Sequence, residues 1–430
     1  MKLKKINNKK IIFILIMIFL ASLNFGCTNT EIWKFNKETV KESVKEPVVD
    51  QESLKNSKSE LITKDEIIVK VSYKNTTPES IPFIQKFKGD TADYLYYGII
   101  MSEKANLRSE PISSSTLVAE LKFYERVELL EEVEYKDSKW YKVVTTEGKV
   151  GYLYKPYLTK RIFRFEKALG RIEDVEKFIH DAKANGEQLA LVSAYTPDSE
   201  NKHLSKKRDK YGKYKIQSAE GKYDGEILYI PDRSISKITK NEVKIDQLKI
   251  ESMTEPYVSM DEKSIARAPR LEEKPIKKAI IIDIENQNLI LYEKIDGKWT
   301  IVSYGYSKTG YESELGFETP RGSFIMDIAK EKMLYTGIDG KVQGFANNAM
   351  RFSGGGYLHG TPISLAEVND INYYAKFREG FLGTFNGTRK CVRTTREHAR
   401  FVYAWVLGKD AEKPLPSYEV IKDNVLFIVF

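Results

Sequence analysis

Short runs of β-branched, aliphatic and aromatic residues, each closed by turn formers, recur from Tyr94 to the C-terminus. Tyr94–Met101 (YLYYGIIM), Leu117–Lys122, Arg126–Val133, Trp140–Thr145 and Val150–Tyr154 are punctuated by Ser109-Glu110-Pro111, Lys136-Asp137-Ser138 and Glu147-Gly148-Lys149. Further on, Ala279–Ile284 (AIIIDI), Asn288–Tyr292 (NLILY) and Thr300–Gly305 are separated by Asn286-Gln287 and Asp296-Gly297, and Val425–Phe430 (VLFIVF) comes last. Runs this short, bounded this way, make strands rather than helices. The chain is therefore expected to be multidomain and mainly β. Its 430 residues accommodate two or three domains, at roughly 150 residues each.

Composition narrows the function classes. Hydrophobic residues at 41% supply real cores, which excludes a wholly disordered chain. The formal charge of +8 owes most of its excess to five lysines, Lys2, Lys4, Lys5, Lys9 and Lys10. Without them the balance is nearly even, so no nucleic-acid partner is expected. Two cysteines, Cys27 and Cys391, are too few for a disulfide framework. Four scattered histidines (His180, His203, His359, His398) do not suggest a metal cluster, and neither metal nor organic cofactor is expected.

The lysine-rich start precedes the apolar run Ile11–Ala21, a positive segment followed by a hydrophobic one too short for a membrane span. This predicts an export signal over residues 1–26. Leu23-Asn24-Phe25-Gly26-Cys27 resembles a bacterial lipoprotein processing site, which implies lipidation at Cys27 and a mature chain anchored to a membrane in the periplasm or cell wall; Asn24 stands where that family usually has Leu. Residues 27–93 read as a flexible charged tether. Lys37–Glu60 (KETVKESVKEPVVDQESLKNSKSE) mixes both charges with little to bury. The alternative for its end is that Glu66–Tyr73 adds an edge strand to the next domain.

Residues 94–160 form a small all-β unit. Ala105-Asn106-Leu107-Arg108-Ser109-Glu110-Pro111, Trp140-Tyr141-Lys142-Val143 and Gly148-Lys149-Val150-Gly151-Tyr152-Leu153 resemble the bacterial SH3-like domain. The resemblance implies binding to peptidoglycan or cell-surface ligands. Tyr152, Tyr154 and Tyr157 are candidates for packing on a peptide or sugar face, or else belong to the barrel core. Residues 161–275 carry no recognised motif. Phe165, Leu169, Ile172, Val175, Ile179 and Ala182 recur at helical spacing and Asn185-Gly186 supplies a stop, so an amphipathic helix is expected over Phe163–Ala184. Gln188–Tyr195, Glu226–Ile230 and Val243–Ile250 read as strands, and basic Lys202–Lys215 as a solvated loop. The segment is expected to be an α+β spacer domain.

Residues 276–430 carry the chemistry. Tyr357-Leu358-His359-Gly360-Thr361 puts a histidine at a strand end. Thr388-Arg389-Lys390-Cys391-Val392-Arg393 surrounds a cysteine with cations, and Thr395–Leu407 reads as a helix. Positive neighbours and a helix start both favour a thiolate. A thiolate expelling an amine needs a proton shuttle, for which His359 is the candidate. His180, His203 and His398 read as surface or packing residues, and Trp299, Phe324 and Trp405 as core.

Thr319-Pro320-Arg321-Gly322-Ser323-Phe324, His359-Gly360-Thr361 and Thr388–Arg393 resemble, in order, the three motifs of the L,D-transpeptidase catalytic domain, a β-rich fold with a helix after its nucleophile. Thr388, Arg389 and Lys390 stand where that family has Ser, His and Gly. A lysine at the glycine position requires a backbone that does not need a positive φ. The resemblance implies that Cys391 attacks the carbonyl before the terminal D-alanine of a stem tetrapeptide and that His359 is the general acid/base. Backbone amides at Lys390, Cys391 and Val392 would meet the oxyanion, while Arg393, Gly360 and Thr361 would bind substrate. A second stem peptide would then take the thioester in a 3→3 cross-link. Water as acceptor would make it an L,D-carboxypeptidase, and a protein as acceptor a wall-attachment enzyme. Cysteine peptidases of the wall carry their Cys before the His, and sortases place their Arg farther from the Cys. A non-catalytic wall-binding lipoprotein is the reading from a different class. A monomer is expected.

Overall fold

The structure, a computed structural model, describes residues 67–89, 91–196, 206–239, 242–245, 257–313, 316–337 and 339–430. The expected export signal, Cys27, His203 and the tether before Ile67 lie outside the described residues. Two compact units emerge. One contains Ile68–Ser72, Gly98–Lys160 and Thr336–Gln343, and the other Lys74–Tyr97, Arg161–Tyr335 and Gly344–Phe430. Among the described residues no helix is long and apolar enough to cross a membrane.

In the first unit, strands Leu117–Lys122, Lys104–Arg108, Val150–Tyr154, Ser138–Thr145 and Arg126–Tyr135 are hydrogen-bonded neighbours in that order. Alternation along them sends Leu107, Leu129, Val133, Val143 and Leu153 into the core. The tight turn after Tyr135 places Lys136 and Asp137 at φ 45° and 63°, the twist-matched conformation of two-residue hairpins. Tyr157 is buried and packs edge-on to half-buried Tyr154. Trp140 is buried beside the same Tyr154. Of the three tyrosines proposed as ligand contacts, Tyr157 is thus core.

Residues 67–93 do not behave as a tether throughout. Ile68–Ser72 pairs antiparallel with Arg126–Tyr135, as the alternative reading of Glu66–Tyr73 has it. In the second unit Ile84 and Lys86 donate to the carbonyls of Ile301 and Val302 at 2.9 Å, and Ile301 N–H to Pro82 O at 2.8 Å. An edge strand offers unpaired backbone groups, and this segment satisfies them; local charge composition carries no trace of such distant partners.

The second unit holds the expected helix as Phe165–Ala184, buried at Phe165, Ala168, Ile172, Val175, Ile179 and Ala182. Beside it in the chain is a seven-stranded sheet, in the order Glu226–Pro231, Ser218–Tyr223, Tyr257–Met260, Glu242–Ile245, Ile235–Thr239, Gln188–Val192, Ile265–Arg267. The basic loop is exposed at Lys207, Arg208, Lys210 and Lys215, as expected, but part of it is also held against the fold. Arg208 stacks over Tyr214 at 4.0 Å and bonds Glu312, while Lys206 sits 3.9 Å over the Phe317 ring. Acidic and aromatic partners far along the chain recruit it.

Two further sheets share one core. Strands Lys298–Tyr306, Asn288–Ile295, Ile276–Asp283, Asn424–Val429 and Gly322–Ile325 form the first, with Asn424–Val429 parallel to Ile276–Asp283. Val392–Thr394, Gly356–Gly360, Val342–Ser353, Ile328–Thr336 and Tyr418–Val420 form the second. Ile280, Leu291, Phe324 and Phe427 from one meet Met350, Phe352, Leu358 and Val392 from the other, with Val402 and Tyr403 of the helix Arg396–Leu407. Phe324, Trp299 and Trp405 are buried, as expected.

Candidate active site

The second sheet brings the histidine and cysteine segments side by side. Strands Gly356–Gly360 and Val392–Thr394 are parallel, with Leu358 opposite Val392, His359 opposite Arg393 and Gly360 opposite Thr394. Leu358 and Val392 point into the shared core. Side chains alternate across a strand, so His359, Arg393 and Cys391 occupy the other face. Cys391 immediately precedes its strand and is partly exposed.

The turn Gly354-Gly355 joins the strands Val342–Ser353 and Gly356–Gly360. Its carbonyls face the cysteine segment: Cys391 Sγ lies 3.9 Å from Gly355 O, and Lys390 Nζ donates to Gly354 O at 2.6 Å. Gly355 takes φ 66°, which a glycine adopts without strain.

His359 is 3% exposed, and its Nδ1 lies 2.7 Å from Gly360 O. That bond assigns the proton to Nδ1 and leaves Nε2 as an acceptor. Burial, followed by the Arg393 charge, pushes the imidazole down to about 3, against the pull of the Gly360 carbonyl. At neutral pH it is an uncharged ring whose Nε2 can accept a hydrogen bond.

The Thr388–Cys391 loop is held on all sides. Gly387 and Thr388 donate to Thr309 O at 2.8 and 3.0 Å, Tyr311 donates to Thr388 O at 3.1 Å, and Phe317 to Arg389 O at 3.3 Å. Thr319 Oγ1 accepts from Gly310 N–H at 2.7 Å and donates to Lys390 O at 2.9 Å. A Cβ on Gly310 would stand 2.4 Å from Phe317 O and 2.8 Å from the Lys390 backbone, so only glycine fits there.

Lys390 departs from the sequence expectation. Its φ is 136°, within the region that favours glycine, although a lysine was acceptable only without a positive φ. The loop's tertiary hydrogen bonds impose the conformation. Its amide faces Thr388 Oγ1 at 3.4 Å, which gives one of the three expected oxyanion donors a partner of its own. Val392 sits within the paired strand.

Gly360 and Thr361, expected at the substrate, are packed instead. A Cβ on Gly360 would meet Arg396 Cα at 3.1 Å, so the glycine admits the following helix. Thr361 is 3% exposed and its hydroxyl donates to Thr394 O at 3.2 Å. Arg393 exchanges backbone bonds with Lys308 at 2.9 and 2.8 Å. His398 is buried, with Nε2 2.8 Å from Ser303 Oγ, Nδ1 3.3 Å from Thr394 Oγ1 and its ring stacked on Phe87. His180 is exposed on its helix.

Residues 277–420 match the YkuD family model, described as the L,D-transpeptidase catalytic domain. That stretch is thus similar to L,D-transpeptidase catalytic domains. Residues 103–159, ahead of it, match the bacterial SH3 domain model. Among solved structures, the chain is similar to LD transpeptidase LdtMt1 in complex with imipenem, at 13% identity over 57% of this chain and 92% of that one, TM-score 0.25. It is similar to L,D-transpeptidase 3 from Mycobacterium tuberculosis in complex with a faropenem-derived adduct, at 15% identity over 56% and 90%, TM-score 0.24. A fused Zn-dependent amidase/peptidase/peptidoglycan-binding domain-containing protein from Clostridium acetobutylicum gives 15% identity over 36% and 54%, TM-score 0.22. The chain thus spans about half the length of that last protein. No curated protein matches the chain.

Thr319, bonded to Lys390 O, and Asp232, packed against Gly354 of the turn, are neighbours of the site that sequence reading missed as such. Thr319 was visible only as part of a motif. Asp232 lies in a Pro-Asp-Arg stretch like any turn, and no local signal ties it to Cys391.

Proposed function

We propose that this protein is a cell-wall L,D-transpeptidase working outside the cytoplasm, with Cys391 as nucleophile and His359 as general acid/base. The observation that carries the reading is the parallel register of Gly356–Gly360 and Val392–Thr394, which sets His359 opposite Arg393, two residues from Cys391, on the face away from the core.

In this reading His359 Nε2 takes the Cys391 proton as sulfur attacks the carbonyl before the terminal D-alanine of a stem tetrapeptide. The tetrahedral oxyanion forms beside the backbone amide of Cys391. Collapse breaks the carbon–nitrogen bond, the imidazolium returns its proton to the departing amine, and a thioester remains. The side-chain amine of a second stem peptide attacks, sheds a proton to His359 and releases the thiol with a 3→3 cross-link formed. Water in the acceptor's place gives a trimmed stem. The bacterial SH3 domain supports wall binding, and Cys27 is proposed as the lipidated anchor residue.

Incubation of the full chain with stem tetrapeptide substrates, followed by mass spectrometry, tests this. Released D-alanine with cross-linked dimer is expected from the wild type and neither from Cys391→Ala. Identical product profiles for the two overturn the enzyme in favour of a wall-binding protein.

A further inference from the structure

Beside the candidate Cys391, Lys390 is a buried cation that the proposed chemistry does not use. Lys390 is 7% exposed, and its ammonium donates to Gly354 O. Gly354 is one residue from the Gly355 carbonyl that faces Cys391 Sγ. Lys390 and Cys391 thus converge on the same two-glycine turn from adjacent positions in the chain.

The other side of that turn is covered by the 161–275 segment. A Cβ on Gly354 would stand 2.6 Å from Gln217 Oε1 and 3.2 Å from Asp232 Cβ, so the glycine admits both side chains. The Asp232 backbone is tied down: its carbonyl accepts from Ser353 Oγ at 2.8 Å and its N–H donates to Gln217 O at 3.0 Å. Asp232 is 3% exposed, with Oδ1 accepting from Ala194 N–H at 2.8 Å. Its Oδ2 is buried without a hydrogen-bond partner among the described residues. A carboxylate oxygen left so is costly unless a positive field compensates it.

We propose that Lys390 is the cation that eases ionisation of Cys391 as its proton passes to His359, and that Asp232, supplied by the 161–275 segment, is its positioning counter-charge. The proposal rests on Cys391 being the nucleophile.

Electrostatics support it. Burial and Arg393 deny His359 its charge, so the imidazole is not the resting counter-ion of a thiolate. Burial also lowers Lys390, to about 8, while Asp232 and Cys391 both favour its charged form. Asp232 is itself raised by burial, against the pull of Arg233, Arg351 and Lys390. The other titrating neighbour is Tyr357, which feels Arg351, Tyr195, Cys391 and Asp327. Lys390 thus feels both the Cys391 thiol and the Asp232 carboxyl.

The test is the pH dependence of Cys391 alkylation by iodoacetamide in the full chain, which reads thiol ionisation without needing turnover. Lys390→Met removes the charge and keeps the side-chain bulk; Lys390→Gly removes the charge and relieves the backbone. Both are expected to raise the alkylation midpoint by about one unit or more, the size of a nearby opposite charge. An unchanged midpoint in Lys390→Gly overturns the proposal, as does a shift in the Gly variant alone when both fold. Should the Met variant not fold, the Gly variant decides. A double-mutant cycle with Asp232→Asn reads the pair: non-additive midpoints are expected, and additive ones remove Asp232 from it. Failure of Cys391→Ala to lose D-alanine release would sink the enzymatic reading while leaving these midpoints measurable.

Discussion

His359 and His398 are both buried and both pushed down to about 3 by desolvation, with Arg393 adding to the effect at His359. Each binds a proton in the unfolded chain below its ordinary value of 6.5, but in the folded chain only near 3. The unfolded state therefore holds more protons across that window, and stability falls as pH drops through it, by about 1.4 kcal/mol per pH unit for each ring. Thermal melts from pH 7 to pH 4 are expected to show a shallower loss for His398→Gln than for the wild type. Equal slopes would mean that His398 is protonated in the fold. At this scale the candidate pair Cys391 and His359 was legible because both sit in short motifs with chemical neighbours. Asp232 and the positive φ of Lys390 were not, since neither leaves a mark in adjacent residues.

The site's precision is a property of elements packed against one another. Thr319 closes a bridge from Gly310 N–H to Lys390 O. Thr319→Val leaves two buried backbone groups unpartnered and is expected to cost about 2 kcal/mol, read by denaturant unfolding, with slower Cys391 alkylation. Gly310→Ala forces a methyl against Phe317 O and the Lys390 backbone. Overpacking of this kind costs about 1–3 kcal/mol, and it is expected to reduce D-alanine release more than Thr319→Val does, because the loop carrying Cys391 must move. A Gly310→Ala protein with wild-type release would show that the loop tolerates displacement. Strand positions followed from alternation and turn residues, as at Asn288–Ile295 and Asn424–Val429. The pairing of Pro82–Lys86 with Ile301 and Val302 did not, because an extended segment and an edge strand find each other only in three dimensions.

Across the whole second unit, Asp327 is the joint between the seven-stranded sheet's turn and the two-sheet sandwich. Arg233 Nη1 donates to Asp327 Oδ2 at 3.0 Å and Arg351 Nε to Asp327 Oδ1 at 3.0 Å. All three side chains are 15% exposed. Asp327→Ala strands two guanidinium groups and is expected to destabilise by about 3 kcal/mol, in the denaturation midpoint of the full chain. Since Arg233 follows Asp232, the same variant is expected to shift the alkylation midpoint; a shift without destabilisation would mean that the joint tunes the site but does not hold it. At the chain's start, palmitate labelling is expected in the wild type and absent from Cys27→Ala. The amino-acid sequence by itself determined the mainly β character and the SH3-like and L,D-transpeptidase-like segments, and it singled out Cys391 and His359 as the candidate pair, because periodicity, turn chemistry and reactive residues are local. Only the tertiary structure decided that Ile68–Ser72 and Pro82–Lys86 pair with strands and that Lys206 and Arg208 find aromatic and acidic partners. It also decided that Lys390 is buried in a strained conformation with Asp232 beyond it, because burial and electrostatic partnership belong to residues brought together from distant parts of the chain.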